Sequence, residues 1–183
     1  MKINACGRLL AAQWGLSSNY DSRPAGERVT LVVIHNISLP PREFGGDGVA
    51  QLFGNALVSS QHPFYAQIAH LRVSAHLFIR RDGQLIQFVP FTARAWHAGV
   101  SCWQGRERCN DFSIGIELEG CDDLPFTTMQ YAQLAQVLPA LYVRYPSIDS
   151  VTGHSHIAPG RKTDPGGCFD WAQVPMPPVP VMG

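Results

Sequence analysis

The sequence predicts a single α+β domain, because four segments with the pattern of β-strands precede one long amphipathic helix. The chain has 183 residues, of which 45% are hydrophobic, so it can bury one sizeable core. A second full domain does not fit this length. We therefore assign residues 1–183 to one domain.

Charge and length exclude several classes of partner. Fourteen basic residues balance fourteen acidic ones, so electrostatics predict neither nucleic-acid binding nor docking on an anionic membrane. No apolar segment is long enough to span a bilayer. A monomer that binds a small molecule is expected.

The N-terminus and the cysteines predict a cytoplasmic protein. The apolar run at 9–12 is too short for the core of a signal peptide, and no small-residue cleavage site follows it. Five cysteines make an odd number without a Cys-x-x-Cys pair, which argues against a disulfide framework. They are Cys6, Cys102, Cys109, Cys121 and Cys168.

The first clear strand is the β-branched run 31–34, which is typical of a strand buried on both faces and ends at His35. The following segment, 38–48, is rich in Pro and Gly and predicts a long loop that carries recognition residues. A short helix is predicted over 49–53.

Two further strands, 75–79 and 84–89, flank an Asp-Gly step that favours the tight turn of a β-hairpin. Segment 112–118 then alternates large apolar with small or polar residues, as in a strand with one face toward a functional site. Glu117 lies near its end.

The long helix begins at Thr127 or Thr128, either of which can cap it. Its apolar positions recur at helical spacing: Tyr131, Leu134, Leu138, Leu141, Tyr142 and Tyr145. Pro139 lies inside it and predicts a kink or a break. The Pro-rich segment 175–183 predicts a loosely attached tail.

His35, His154 and Asp164 could hold a catalytic zinc ion, which takes about three protein ligands and keeps one position open. Cys168 is a rival third ligand and His156 is a rival to His154. Any single histidine of the seven is more often an ordinary polar residue than a ligand, so spacing alone leaves these choices open.

Several long motifs, in order from about residue 20 to residue 171, resemble the AmpD-type N-acetylmuramyl-L-alanine amidases. This family is related to bacteriophage T7 lysozyme and to the peptidoglycan recognition proteins. The matching segments are 33–41, 43–46, 69–76, 95–99, 105–120 and 152–166. The resemblance implies a central mixed β-sheet flanked by helices on both faces.

The resemblance also implies the zinc ligands. His35 stands in the family's His-Asn motif, and Asp164 in its Lys-Thr-Asp-Pro-Gly motif, with His154 as the second histidine. His156 and Cys168 fall outside the ligand positions. Amidases among the recognition proteins usually carry a cysteine where Asp164 stands, so the carboxylate points to the AmpD-like branch.

Glu117 resembles the general base of the family, which would take a proton from the attacking water and pass it to the departing alanine nitrogen. Lys162 matches a residue that would stabilise the developing oxyanion, although without the motif it reads as an ordinary solvated lysine. Glu119 is a competing base on the same strand face, or a residue that orients a ligand imidazole.

Four residues are candidates for substrate binding. Arg72 and Arg108 could hold stem-peptide carboxylates by paired hydrogen bonds. Trp96 could pack against a sugar ring, and Asn36 could bind the peptide or the acetamido group. A core tryptophan and a loop-capping asparagine are equally good readings of the last two.

The resemblance implies hydrolysis of the bond between the N-acetylmuramyl lactyl group and L-alanine, with cytoplasmic 1,6-anhydromuropeptides as substrates in peptidoglycan recycling. An amidase on intact peptidoglycan and a zinc-free muropeptide-binding protein are the alternatives. We expect His76 and His97 to form structural hydrogen bonds rather than bind metal.

Overall fold

The computed structural model describes residues 1–178 and shows one mixed β-sheet with helices on both faces, which confirms the predicted fold class. The strands are β1 Gln13–Trp14, β2 Tyr20–Asp21, β3 Leu31–Ile37, β4 Leu77–Ile79, β5 Leu85–Gln87, β6 Arg94–Ala95, β7 Cys102–Trp103, β8 Arg106–Glu107, β9 Ser113–Glu119 and β10 Ser150–Gly153. The helices are α1 Gly48–Phe53, α2 Pro63–Ile68, α3 Thr128–Arg144 and α4 His154–Ile157, with 3-10 turns at Ser59–Gln61, Cys109–Asp111 and Trp171–Gln173.

The main sheet has the strand order β1-β5-β4-β9-β3-β10. Its neighbours are parallel except for the β4–β5 hairpin, which is antiparallel. Two smaller antiparallel pairs, β2 with β6 and β7 with β8, lie outside it. Within the described residues, no helix combines the length and the hydropathy that a bilayer-spanning helix needs.

The central strands β3 and β9 are paired over seven residues each, from Leu31 opposite Ser113 to Ile37 opposite Glu119. The predicted strand at 31–34 was therefore too short, and His35 lies inside β3 rather than at its end. The apolar run predicted only its first half, because the ladder with β9 carries the strand on through polar residues.

Helix α3 starts as predicted, with a capping box at Thr127. The Oγ1 of Thr127 accepts from the Gln130 backbone N–H, and Oε1 of Gln130 accepts from the Thr127 N–H. The predicted break at Pro139 does not occur, since the helix continues to Arg144. Pro139 and Ala135 are both exposed, so water can hydrate the carbonyl that loses its helical partner.

The hairpin, the loop and the short helix are also found where the sequence predicts them. The β4–β5 turn has Gly83 at φ 87°, and Asp82 Oδ1 accepts from the Gln84 N–H. The start of the predicted tail is attached, because the Tyr142 hydroxyl donates to the Pro175 carbonyl over 2.6 Å. The rest of that prediction, from residue 179, lies outside the described residues.

Candidate metal centre and active site

Three predicted ligand residues meet at one end of the central strands. The Nδ1 atoms of His35 and His154 are 3.0 Å apart, and each is 3.1 Å from Oδ2 of Asp164. Parallel pairing explains the first contact, because Gly153 at the end of β10 lies opposite Ile34 of β3. The next residue along the chain is a histidine in both cases, His35 within β3 and His154 at the start of α4.

The loop after α4 brings the carboxylate back to the two imidazoles. The Ser155 N–H donates to the Asp164 carbonyl over 2.9 Å, so the ten residues after His154 close into a compact turn. Neither rival ligand joins the cluster among the described residues, which consists of His35, His154 and Asp164.

The geometry of these three atoms fits a small divalent cation. A tetrahedral zinc site with bonds of 2.0–2.1 Å has ligand–ligand distances of about 3.3 Å, close to the 3.0–3.1 Å found here. The Nε2 of His154 lies 3.1 Å from the Ala98 carbonyl, which can only accept, so this nitrogen carries the proton. Its Nδ1 therefore presents a lone pair to the cluster.

Burial and hydrogen bonding set the charge of the triad. Burial lowers the pKa of His35 to about 4, so the imidazole is neutral near pH 7 and able to ligate. Burial raises the pKa of Asp164, but its hydrogen bonds with His154 and His35 outweigh this effect and hold the pKa below its ordinary value. Two imidazole nitrogens and one carboxylate oxygen form a donor set that suits Zn²⁺.

Glu117 lies directly opposite His35 in the β3–β9 ladder and is only 9% exposed. Its Oε2 is buried and has no hydrogen-bond partner in the described residues. Burial raises the pKa of Glu117 well above its ordinary value, Asp164 raises it further, and Lys162 lowers it. Such a carboxyl group is suited to proton transfer near neutral pH.

A cavity of about 400 Å³ opens beside the cluster. Its polar lining includes the triad, Glu117 and Lys162, and the exposed side chain of Lys162 contributes positive charge near Glu117 and His35. Its apolar lining comes from the loop after β3, from α1 and α2, and from the segment before β4. These residues are Leu39, Leu52, Phe53, Phe64, Ile68, Leu71 and Val73.

Asn36 and Trp96 also line this cavity. The Asn36 amide group donates to Asp122 Oδ1 over 2.6 Å and to the Pro165 carbonyl over 3.0 Å. Asn36 therefore anchors the loop next to Asp164, as in the loop-capping reading. Trp96 is half-buried, so its indole is neither a core group nor fully solvated.

The two arginines lie outside the cavity lining. Arg72 is exposed and points Nη1 at the carbonyls of the 69–71 turn at 3.3–3.5 Å. Arg108 is exposed, adopts a left-handed φ of 61° and pairs with Asp111 at 3.2 Å. Arg108 lines a separate groove, whose lining also includes Gly99. Gly99 is two residues after His97, which lines the cavity. Their role in binding carboxylates stays a prediction.

The remaining polar candidates have structural partners. The Nδ1 of His156 accepts from the Gly153 N–H at 3.3 Å, and Nδ1 of His76 accepts from the Gly115 N–H at 3.0 Å. Glu119 accepts from the backbone N–H groups of Gly45 and Arg81 at 2.6 and 3.0 Å. Glu119 therefore anchors the 38–47 loop, and the suggestion that it orients an imidazole is wrong.

The sequence did not predict the contact between His97 and the triad. The Nδ1 of His97 is 2.9 Å from Nε2 of His35, and its Nε2 is 3.1 Å from the Ser113 hydroxyl. A signal existed in the Trp-His-Ala-Gly motif, but no spacing rule connects residue 97 with residue 35.

The model of the N-acetylmuramoyl-L-alanine amidase family matches residues 25–167, and the chain belongs to this family. It is 61% identical over 168 residues to the 1,6-anhydro-N-acetylmuramyl-L-alanine amidase AmpD of Escherichia coli strain K12, covering 91% of this chain and 92% of that relative. The enzyme class implied by the motifs is thereby confirmed.

Solved structures agree with this assignment. A crystal structure of a selenomethionine AmpD derivative superposes with a TM-score of 0.92 at 59% identity, covering 94% of this chain and 97% of that one. The amidase AmiD from E. coli, solved with the substrate anhydro-N-acetylmuramic acid-L-Ala-D-γ-Glu-L-Lys, gives a TM-score of 0.58 at 30% identity, covering 82% and 58% of the two chains.

Proposed function

We propose that this protein hydrolyses the amide bond between the lactyl group of 1,6-anhydro-N-acetylmuramic acid and L-alanine in soluble muropeptides, with zinc as cofactor. The observation that carries the proposal is the triangle of two imidazole nitrogens and one carboxylate oxygen beside the buried carboxylate of Glu117, whose Oε2 has no partner within residues 1–178. The names and ligands of the related AmpD and AmiD proteins support the substrate class.

His35, His154 and Asp164 are the proposed zinc ligands. A bound zinc ion would supply a Lewis acid for the amide carbonyl and would acidify water at its open position. The outer nitrogen of each histidine has a partner, which supports a fixed orientation of both rings.

Glu117 is the proposed general base and acid. Its carboxylate takes a proton from the attacking water, whose oxygen forms the new bond to the carbonyl carbon. It then delivers the proton to the alanine nitrogen as the C–N bond breaks, which leaves a lactyl carboxylate and a free peptide amine. The raised pKa of Glu117 supports both transfers near neutral pH.

Lys162 is the proposed stabiliser of negative charge on the carbonyl oxygen. It lines the cavity close enough to Glu117 and His35 for its charge to act on the reacting groups. Trp96 and Asn36 are proposed to contact the sugar and the acetamido or peptide groups, and the apolar lining suits a compact anhydro sugar. Arg72 and Arg108 are proposed to hold the carboxylates at the far end of the stem peptide.

We place this activity in the cytoplasm and expect a monomer. All five cysteines are free thiols, which is usual in a reducing compartment. Anhydromuropeptides are turnover products that must reach the enzyme in solution, and this suits an open cavity on a small domain.

The test is product identification by mass spectrometry on a defined anhydromuropeptide. The zinc-loaded protein should release the intact stem peptide and 1,6-anhydro-N-acetylmuramic acid, and a chelator should abolish the release until zinc is restored. Insoluble peptidoglycan serves as the parallel substrate. Preferred release from it would replace the recycling role with a wall-degrading one, and binding without release would leave only a muropeptide-binding protein.

A further inference from the structure

One short segment outside the triad contacts both of its histidines. The segment 97–98 offers the His97 ring to Nε2 of His35 at 2.9 Å and the Ala98 carbonyl to Nε2 of His154 at 3.1 Å. Each ligand imidazole thus faces the cluster with Nδ1 and the same two-residue segment with Nε2. The segment therefore contacts the outer nitrogen of both ligand rings.

The partners of these nitrogens restrict where the protons lie. The Ala98 carbonyl can only accept, so it requires a proton on Nε2 of His154 and leaves Nδ1 free for a metal ion. The Nε2 of His35 is hydrogen-bonded to Nδ1 of His97 at 2.9 Å, and Nε2 of His97 is hydrogen-bonded to the Ser113 hydroxyl at 3.1 Å, a group that can donate or accept. A metal ion on Nδ1 of His35 requires the proton on Nε2, and Nδ1 of His97 is then the acceptor that orients this ring.

One side chain holds both backbone N–H groups of the segment. The Oδ1 of Asn110 accepts from both backbone N–H groups, that of His97 at 3.1 Å and that of Ala98 at 2.8 Å. The backbone of Asn110 is fixed in turn, since its main-chain carbonyl accepts from the guanidinium of Arg23 at 3.2 Å. The guanidinium of Arg161 also donates to the Ala98 carbonyl, at 2.6 Å.

Packing leaves the His97 ring little freedom. The ring lies against Gly115 of β9, where a Cβ atom would collide with the imidazole. The absence of a side chain at Gly115 leaves space for the His97 ring. The hydrogen bond to Asn110 positions the His97 backbone that carries this ring.

We propose that Asn110 is a positioning residue of the metal centre, which orients both ligand imidazoles through the backbone of His97 and Ala98. The inference rests on the proposed function in taking the ion to be zinc. Asn110 makes none of the cluster's own contacts, so its effect must appear in the affinity and geometry of the site. Outer partners of metal-binding histidines typically change metal affinity about 10- to 100-fold.

The decisive comparison is Asn110→Leu with Asn110→Asp. Leucine has a similar volume but no acceptor, so two N–H groups lose their partner and the segment can turn. Aspartate keeps an oxygen at the same position. We expect the dissociation constant for Zn²⁺, measured by competition with a chromophoric chelator, to rise about 10- to 100-fold in Asn110→Leu and to stay within about threefold in Asn110→Asp.

A matched control separates positioning from general loss of stability. Gln130 is a fully buried amide on α3 that donates to the carbonyls of Ile79 and Glu119 at 3.1 and 3.0 Å. Gln130→Leu should lower the free energy of unfolding without changing zinc affinity. The visible spectrum of the Co²⁺-substituted protein adds a readout of geometry, which should change in Asn110→Leu and not in the control.

A second pair of variants keeps the test usable if Asn110→Leu does not fold. His97→Phe removes the acceptor for His35, and His97→Asn restores an acceptor near the same place. Zinc affinity should fall in the first and recover in the second. The inference would be overturned if zinc affinity were the same in the two variants of each pair. It would also be overturned if Gln130→Leu lost as much zinc affinity as Asn110→Leu. A wild-type protein without zinc affinity would instead remove the zinc assignment of the proposed function.

Discussion

The two faces of the central sheet differ in what their residues contact. On one face, alternate residues of β3 and β9 pack against α3 in a largely apolar core. These residues are Val32, Ile34, Ile114, Ile116 and Leu118, together with Leu134, Leu138 and Leu141 of the helix. Burial of this kind stabilises the fold and supplies no chemistry.

On the other face, the intervening positions carry His35, Glu117 and Glu119, all of them buried. His35 and Glu119 have specific hydrogen-bond partners, whereas Oε2 of Glu117 has none in the part of the chain that the structure describes. The period of two along a strand thus places the stabilising residues and the reactive residues on opposite sides of the same backbone. Substitutions on the two faces should therefore change different measured quantities.

The largest effect is expected from Glu117→Gln. The amide cannot take a proton from water, so kcat should fall by about 10²- to 10⁴-fold. The zinc content should not change, and the free energy of unfolding of the metal-free protein should stay level or rise, because a buried unpaired carboxylate is replaced by a neutral group. Kinetics, metal analysis and urea unfolding measure the three quantities. Wild-type turnover in this variant would exclude Glu117 as the base.

A substitution on the apolar face should change stability and leave the metal site unchanged. Leu138→Ala deletes a fully buried side chain of α3 and should lower the free energy of unfolding by about 2–5 kcal/mol. Zinc affinity should stay within about threefold, because the cluster lies beyond the sheet and shares no contacts with this residue. Urea unfolding and chelator competition are the measurements. A large loss of zinc affinity would mean that the two faces are coupled.

These two faces were not equally predictable from the sequence. The apolar face follows from local pattern, since the runs 31–34 and 112–118 and the spacing of Leu134, Leu138 and Leu141 predict it directly. The sequence left the cap at either Thr127 or Thr128, and the structure places it at Thr127. Of the kink or break predicted at Pro139, the break does not occur, because the exposed position lets water hydrate the carbonyl that loses its helical partner.

The polar face depends on contacts between distant residues. His35 and Asp164 are 129 positions apart, and His35 and His97 are 62 apart, so no periodicity connects them. Family motifs predicted the triad because they record which residues occur together. They did not predict the contacts of His97 with His35 or of Glu119 with Gly45, since those contacts depend on which distant segments lie next to each other in the folded protein.

A smaller effect is expected from Glu119→Gln. Both carboxylate oxygens accept from backbone N–H groups, and glutamine offers only one oxygen. One amide would then face an NH₂ group, at a cost of about 1–3 kcal/mol in the free energy of unfolding. Hydrogen exchange of the Gly45 or Arg81 amide should also become faster. The control Glu107→Gln, at an exposed strand position, should change stability by less than about 0.5 kcal/mol.

The smallest effect concerns pH and His76. Burial, and then the charge of Arg23, lower the pKa of His76 to about 3 from its ordinary 6.5. The unfolded chain therefore binds one more proton than the folded protein between these values, so this contribution to stability is complete above pH 6.5 and is lost as the pH falls. Near pH 5, the slope of the free energy of unfolding against pH should be smaller in metal-free His76→Asn than in the metal-free wild type. The expected difference in slope is about 1.4 kcal/mol per pH unit. Urea unfolding across this range measures both slopes, and parallel curves would show that His76 is protonated equally in the folded and unfolded states.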